Sequence, residues 1–280
     1  MGATEDSSDA GRSARGGRNV WIAILTGLVL AGAVLGSLAW DPVALLALAV
    51  IVLVLGQLEL EQVLRRRGFH PATPVTVATG ILLIVGAYWR GLEAMSFAVA
   101  GGTAACFGWF LAARTRRGVA GNLGVSVLSI LYVPFFGAFV ALVLAGPDGE
   151  GAVLGFALVG VINDVAAYAV GSRFGHRRMA PNVSPNKSWE GFAGACMASV
   201  LAGALILPRW HPWTWASGLS LGVLGAMLSP VGDLAESLIK RDLEVKDMGH
   251  LLPGHGGVLD RIDGLLLLAP AAYLLLRLFG

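Results

Sequence analysis

The chain has 280 residues, 56% of them hydrophobic and 14% charged, and its mean hydropathy is +0.72. Soluble domains carry about 25% charged residues, so a water-soluble globule is excluded, and with it a disordered chain, a disulfide scaffold and a collagen-like fibre, since there are only 2 cysteines and no G-X-Y period. The net charge of +2 gives no reason to expect nucleic acid as a partner, and where the charges sit matters more than their sum.

What remains is an all-α, polytopic integral membrane protein. Residues 1–19 are polar, rich in Gly, Ser and Arg, and read as a disordered cytoplasmic tail. A cleaved signal peptide competes with that reading, but the apolar stretch from Val20 runs past the usual h-region of about 7 to 15 residues. Apolar runs near the bilayer-spanning length of about 17 to 25 residues follow at 20–40, 43–63, 72–89, 92–113, 122–145, 151–172, 189–208, 213–236 and 264–279. The expectation is therefore nine spans, five in an N-terminal region 20–145 and four in a C-terminal catalytic region 146–280. Turn-forming joints separate them, among them Asp41-Pro42, Arg90-Gly91 and Gly146-Pro147-Asp148-Gly149.

Positive charge checks the count, because cytoplasmic loops are enriched in Lys and Arg. With the N-terminus inside, alternate loops hold Arg12, Arg15, Arg18; Arg65, Arg66, Arg67; Arg114, Arg116, Arg117; Arg173, Arg177, Arg178, Lys187; and Lys240, Arg241, Lys246, Arg261, which is 17 of the 20 cationic residues. This alternation puts the N-terminus in the cytoplasm and the C-terminus outside. Cys106 and Cys196 fall within spans, where a thiol packs as a small hydrophobe.

Two polar segments on the same expected face stand apart: Asn163 to Gly191 and Asp233 to Asp263. In the second, Asp233, Glu236, Ser237 and Lys240 recur at i, i+3, i+4 and i+7 and share one helix face. A carboxylate at mid-membrane costs about 2.5 to 3.5 kcal/mol and calls for a partner. Pairing of Asp233 and Glu236 with Lys240 in headgroup water is the plain alternative to a functional site. Asp260 and Asp263 form a further i, i+3 pair, and Pro253-Gly254-His255-Gly256-Gly257 could fold that pair back toward Asp233, bringing together oxygen ligands for a hard cation such as Mg²⁺. His250 and His255, with no cysteine nearby, make a poor zinc site; His255 reads as a phosphate donor or as a satisfied loop histidine. In the first segment Asp164 lies within the sixth span, with Tyr168 one turn on, and a hydrogen bond to a neighbouring helix would account for it equally well. Ser184 as N-cap with Pro185 at the first helical position is expected to open the seventh helix, its free N–H groups joining Lys187 and Ser188 in an anion site.

At these residues a family resemblance emerges. From Ser237 to Asp263 the order S-x-I-K-R-x4-K-D-x-G-x2-L-P-x-H-G-G-V-x-D-R-I-D resembles the signature of the phosphatidate cytidylyltransferases without departure. The upstream S-P-x-K-S-x-E-G at 184–191 and D-x-x-A-Y-x-x-G-x-x-F-G at 164–175 are similar too, except that Val165-Ala166 stands where many members have Thr-Gly. The first five spans match in hydropathy alone. The resemblance implies a homodimeric enzyme of the bacterial inner membrane that joins CTP to phosphatidic acid at the cytoplasmic face, forming CDP-diacylglycerol and pyrophosphate, with Mg²⁺ required and a second cation left open. By position it implies metal-binding and catalytic roles for Asp233, Ser237 and Asp260; the carboxylate spacing adds Asp263 to the metal set, and repulsion between two polyanionic substrates calls for Lys240, Arg241, Lys246 and Arg261 to neutralise phosphate in the catalytic site. Lys187, Ser188 and Glu190 fall in the motif associated with nucleotide binding, and Asp164, Tyr168, Ser184, Lys246, Asp247, His255, Gly256 and Gly257 complete the expected substrate contacts. A related CTP-dependent lipid enzyme, such as a polyprenol kinase, and a transporter with Asp164, Asp233 and Glu236 along a permeation path are the alternatives.

Overall fold

The computed structural model describes residues 20–113, 117–254 and 256–279. The tail at 1–19, Arg114 and Arg116 of the third cationic cluster, and His255 of the glycine-rich turn lie outside the described residues. The helices are α1 Val20–Trp40, α2 Pro42–Arg66, α3 Thr73–Ala112, α4 Val119–Ile130, α5 Phe136–Leu144, α6 Gly149–Phe174, α7 Trp189–Leu205, α8 Trp215–Asp242 and α9 Leu259–Phe279. A π turn, Leu131–Phe135, joins α4 and α5 into one rod. It holds Pro134, which lacks the N–H that a regular helix would use there. Among the described residues seven helical segments, α3 counted as one, are long and apolar enough to cross a membrane, and α1 is a further apolar helix. The chain is an all-α polytopic membrane protein.

The 40-residue α3 accounts for both the third and the fourth expected runs. Gly91 breaks it with φ 68° and ψ −153°. A Cβ on Gly86 would lie 3.0 Å from that of Ala94, and one on Gly102 would lie 2.3 Å from the Thr79 side chain. Eight residues of straight helix span about 12 Å, so these contacts mean that the chain turns back on itself at Gly91. Both arms then bury a stripe: Thr79, Leu83 and Ala87 on one, Met95, Gly102 and Cys106 on the other.

The second half of the chain packs tightly because small residues let backbones meet, as membrane helix interfaces favour. A Cβ on Gly203 would fall 2.2 Å from the Gly218 carbonyl, one on Gly222 2.5 Å from that of Ser199, and one on Gly232 2.5 Å from that of Asp263. α7, α8 and α9 therefore touch main chain to main chain. Buried Asn163 ties the group together, its amide donating to Ser199 Oγ at 2.9 Å and to the Gly225 carbonyl at 3.5 Å. Within α8, Pro230 leaves the Ala226 carbonyl without its usual helical donor, and the Cys196 thiol sits 3.9 Å from that oxygen. Both cysteines are free thiols.

One local expectation is corrected. Ser184 is not an N-cap, and Pro185 does not begin a helix: Ser184–Ser188 is a strand, β2, paired antiparallel with β1, Arg178–Ala180. An edge strand tolerates Pro because no ladder donor is needed there. The capping role falls to Ser188, which has extended backbone and whose Oγ accepts from Gly191 N at 3.2 Å. The ninth run also begins early: α9 starts at Leu259, so Asp260 and Asp263 are in its first turns.

The Gly91 turn yields a test. Its dihedrals lie where essentially only glycine is at ease, so Gly91→Ala should cost about 1–3 kcal/mol although the space around it is open. Gly101→Ala, also into open space but within a helical arm, should be neutral or stabilising by up to about 1 kcal/mol. Thermal unfolding of the purified variants in detergent measures both.

Candidate active site

A cavity of about 690 Å³ is lined by both polar segments, well within the range of about 300–1,000 Å³ usual for small-molecule sites. α6 contributes Asp164 and Tyr168; the β-hairpin and its junction contribute Arg178, Ser184, Lys187 and Ser188; α8 contributes Asp233, Glu236 and Lys240; the following loop contributes Asp247; and α9 contributes Asp260, Arg261 and Asp263. Sequence spacing put Asp233, Glu236 and Lys240 on one face. The close α8–α9 contact at Gly232 brings the Asp260–Asp263 turn beside them.

Lys240 is the centre of this wall. Its ammonium donates to Glu236 Oε2 at 2.5 Å and to Asp260 Oδ1 at 2.8 Å. The Glu236 and Asp260 side chains are buried, at 1% and 4% exposure, and that of Lys240 is partly buried, at 15%. The second oxygen of Asp260 accepts from Met248 N at 3.0 Å and Gly257 N at 2.8 Å, which fastens the glycine-rich loop to the start of α9. Asp260 thus has donors on both oxygens, as a buried charge needs, with acceptor capacity left on Oδ1. The plain pairing weighed from the sequence holds for Glu236, while Asp233 goes elsewhere: its carboxylate meets Lys187 of β2 at 2.5 Å. Asp164 accepts from Ser229 Oγ at 3.3 Å, a helix-to-helix bond.

Several expected site residues are placed differently. Glu190 is turned to the hairpin, accepting from the backbone N–H groups of His176 at 3.1 Å and Arg177 at 3.2 Å. Arg241 donates to the Val183 carbonyl at 3.0 Å and so ties the end of α8 to the hairpin. Ser237, Lys246, Gly256 and Gly257 do not line the cavity; Gly257 acts through its N–H. His255 lies outside the described residues. The sequence reading passed over Arg178, counted only as a topology charge, although it lines the cavity. It also passed over Glu59 of α2, whose Oε2 accepts from Leu259 N at 3.0 Å. Two acids, Glu59 and Glu61, inside an otherwise apolar run were the signal for it.

The hard oxygen donors on the wall, Asp164, Asp233, Glu236, Asp260 and Asp263, have the chemistry that Mg²⁺ requires. Glu236 Oε1 is buried and has no hydrogen-bond partner among the described residues. The donor set fits such an ion in kind. Among the described residues, however, no three His, Cys, Asp or Glu side chains converge on one point as a closed metal site, because Asp233 and Asp260 each hold a lysine.

Comparison with known proteins points the same way. The profile of the cytidylyltransferase family matches residues 21–279. A phosphatidate cytidylyltransferase of Mycobacterium bovis is 34% identical over 286 residues, covering 96% of this chain and 92% of that protein. One from Mycobacterium leprae is 34% identical over 284 residues, covering 94% and 89%. One from Brucella suis is 48% identical over 118 residues, 42% of each chain.

The buried triad yields a test of its own. Lys240→Met takes the shared partner from buried Glu236 and Asp260 and should destabilise the protein by about 3–5 kcal/mol. Arg241→Met removes an exposed contact and should cost less than about 1 kcal/mol. Thermal unfolding in detergent separates the two.

Proposed function

The chain belongs to the cytidylyltransferase family, and from that premise we propose that it condenses CTP with phosphatidic acid to give CDP-diacylglycerol and pyrophosphate. It is a nucleotidyltransferase of phospholipid synthesis. The observation that carries this reading is the convergence of both motif segments on one cavity that alternates carboxylates with Lys187, Lys240, Arg178 and Arg261.

The reaction explains why both signs of charge are needed. A phosphatidate oxygen attacks the α-phosphorus of CTP, and the bond from that phosphorus to the oxygen bridging it to the β-phosphate breaks as pyrophosphate leaves. Nucleophile and electrophile are both polyanions, so cations must offset their repulsion. A phosphate monoester has a second pKa near about 6 and is largely ionised at neutral pH, so no strong general base is called for. Catalysis then rests on alignment and charge compensation.

The chain's own residues divide that work. Lys187 and Arg178 meet phosphate from the hairpin side, and Lys240 and Arg261 from the α8–α9 side. Asp260 holds the Lys240 ammonium and the loop N–H groups in place. Ser184, Ser188 and Tyr168 line the nucleotide side, Asp247 the opposite rim, and Lys246 at the loop surface attracts the anion. A divalent cation such as Mg²⁺, held by Asp233, Asp260 and Asp263, would neutralise triphosphate charge when bound. The hard oxygen donors support that assignment, whereas Ser237 enters it on the resemblance alone. The alternation of Lys and Arg along the chain supports a cavity on the cytoplasmic face of a bacterial inner membrane, and the resemblance supports a homodimer.

Purified protein given CTP labelled at the α-phosphate, phosphatidate and Mg²⁺ should transfer label to the lipid fraction, and omission of phosphatidate should abolish the transfer. No label in lipid from α-labelled CTP under any condition defeats the reading, and transfer of label from γ-labelled CTP to a polyprenol, with CDP released, moves the chain to the related lipid kinases. Asp260→Asn should lower pyrophosphate release by about 10²–10³-fold at all pH values; rescue by raised pH would instead mark Asp260 as a proton acceptor.

A further inference from the structure

The loop that carries the 237–263 signature is gripped by a helix outside it. α9 begins at Leu259, and the residue before it, Val258, has no side-chain oxygen to cap the exposed N–H groups of the first turn. Glu59 of α2, 200 positions away, takes that place: its Oε2 accepts from Leu259 N at 3.0 Å. A carboxylate at a helix N-terminus also faces the positive end of the helix dipole. Glu59 is 7% exposed. Glu61, two residues on, is held by Thr73, Thr76 and Ser129, while Glu59 Oε1 has no hydrogen-bond partner among the described residues. Glu59 is therefore committed to the loop rather than to its own bundle.

The loop is shaped around that carboxylate. A Cβ on Gly249 would lie 2.2 Å from Glu59 Oε1, and one on Gly257 2.6 Å from Oε2 and 2.9 Å from Asp260 Oδ2. Both glycines are positions of close approach that no side chain could share with Glu59. Gly257 sits between the two acids, its N–H given to Asp260 at 2.8 Å. The same helix holds the start of the loop: Arg67 donates through Nε to the Leu243 carbonyl at 2.6 Å and pairs with Glu244 at 2.8 Å.

We infer that Glu59 is a positioning residue for the transfer reaction, fixing the first turn of α9 and thereby the orientation of Asp260 toward Lys240 and the cavity. This rests on the proposed nucleotidyl transfer, so the test has one readout that does not. Full-length Glu59→Gln and Glu59→Met are compared with wild type in turnover and in backbone hydrogen exchange over 247–259. Glutamine keeps an accepting oxygen and should stay within a few-fold of wild type. Methionine, of similar size, should lower kcat by about 10²-fold, as a displacement of about 1 Å can, with KM for CTP changed only a few-fold. Exchange over 247–259 should quicken in Glu59→Met while α6 and α7 exchange as in wild type; a merely structural role would loosen the whole bundle. If Glu59→Met equals Glu59→Gln in turnover and exchange, the assignment falls, whether both are near wild type or both are poor, since the accepting oxygen would then not be what fixes the turn. Should Glu59→Met fail to fold, Glu59→Asp replaces it: one methylene shorter, it should show the same loss of kcat and the same local loosening, and wild-type behaviour overturns the inference. Should wild type itself form no CDP-diacylglycerol, the functional reading fails, and the exchange comparison decides the role of Glu59.

Discussion

Lys240 shared between Glu236 and Asp260 is the interaction on which the site depends. Lys240, Glu236 and Asp260 give up most of their hydration when the bundle forms, and mutual pairing offsets that cost. Asp260 answers it most fully, with one oxygen on the ammonium and the other on two loop N–H groups. The ion pair therefore does more than join α8 to α9. It closes the intervening loop, and the cavity wall takes its shape from that closure.

Around this centre the two halves of the chain have distinct tasks. α6 to α9 pack backbone against backbone through glycines, which brings carboxylates from three helices to one wall. α2 reaches across from the other half with Glu59 and Arg67 and holds the loop from behind. The β-hairpin closes the cavity on its far side, pinned by Glu190 beneath it and by Arg241 at its turn, so that Lys187 can meet Asp233. Conserving charge this way is consistent with a protein that has few charged residues: most of those in the second half either line the cavity or hold something that does.

Much of this was legible in the residues. The apolar runs mark the helical segments, even at Gly91, where the joint read from Arg90-Gly91 is the turn between two arms of one continuous helical stretch. The i, i+3 and i+4 spacings placed Asp233, Glu236 and Lys240 together because helix geometry alone dictates a face. Reading failed where a residue's partner is remote. Ser184-Pro185 has the local look of a helix start, and only pairing with Arg178–Ala180 makes it a strand. Asp233 and Lys240 looked like partners along one helix, yet Asp233 finds Lys187, 46 positions earlier, and Lys240 finds Asp260. Glu59 could be seen as an acid out of place, but nothing local says that it faces Leu259.

By itself, then, the sequence determined that this is a helical membrane protein, that its polar chemistry resides in two segments, and which family those segments resemble, because hydropathy, helical periodicity and motif order are properties of neighbours in the chain. The tertiary structure alone decided which carboxylate takes which lysine, that Glu190 and Arg241 support the hairpin instead of lining the cavity, and that α2 caps α9. Those outcomes depend on which buried donors and acceptors are within about 3 Å of one another once the helices pack, and that distance is set by the whole bundle.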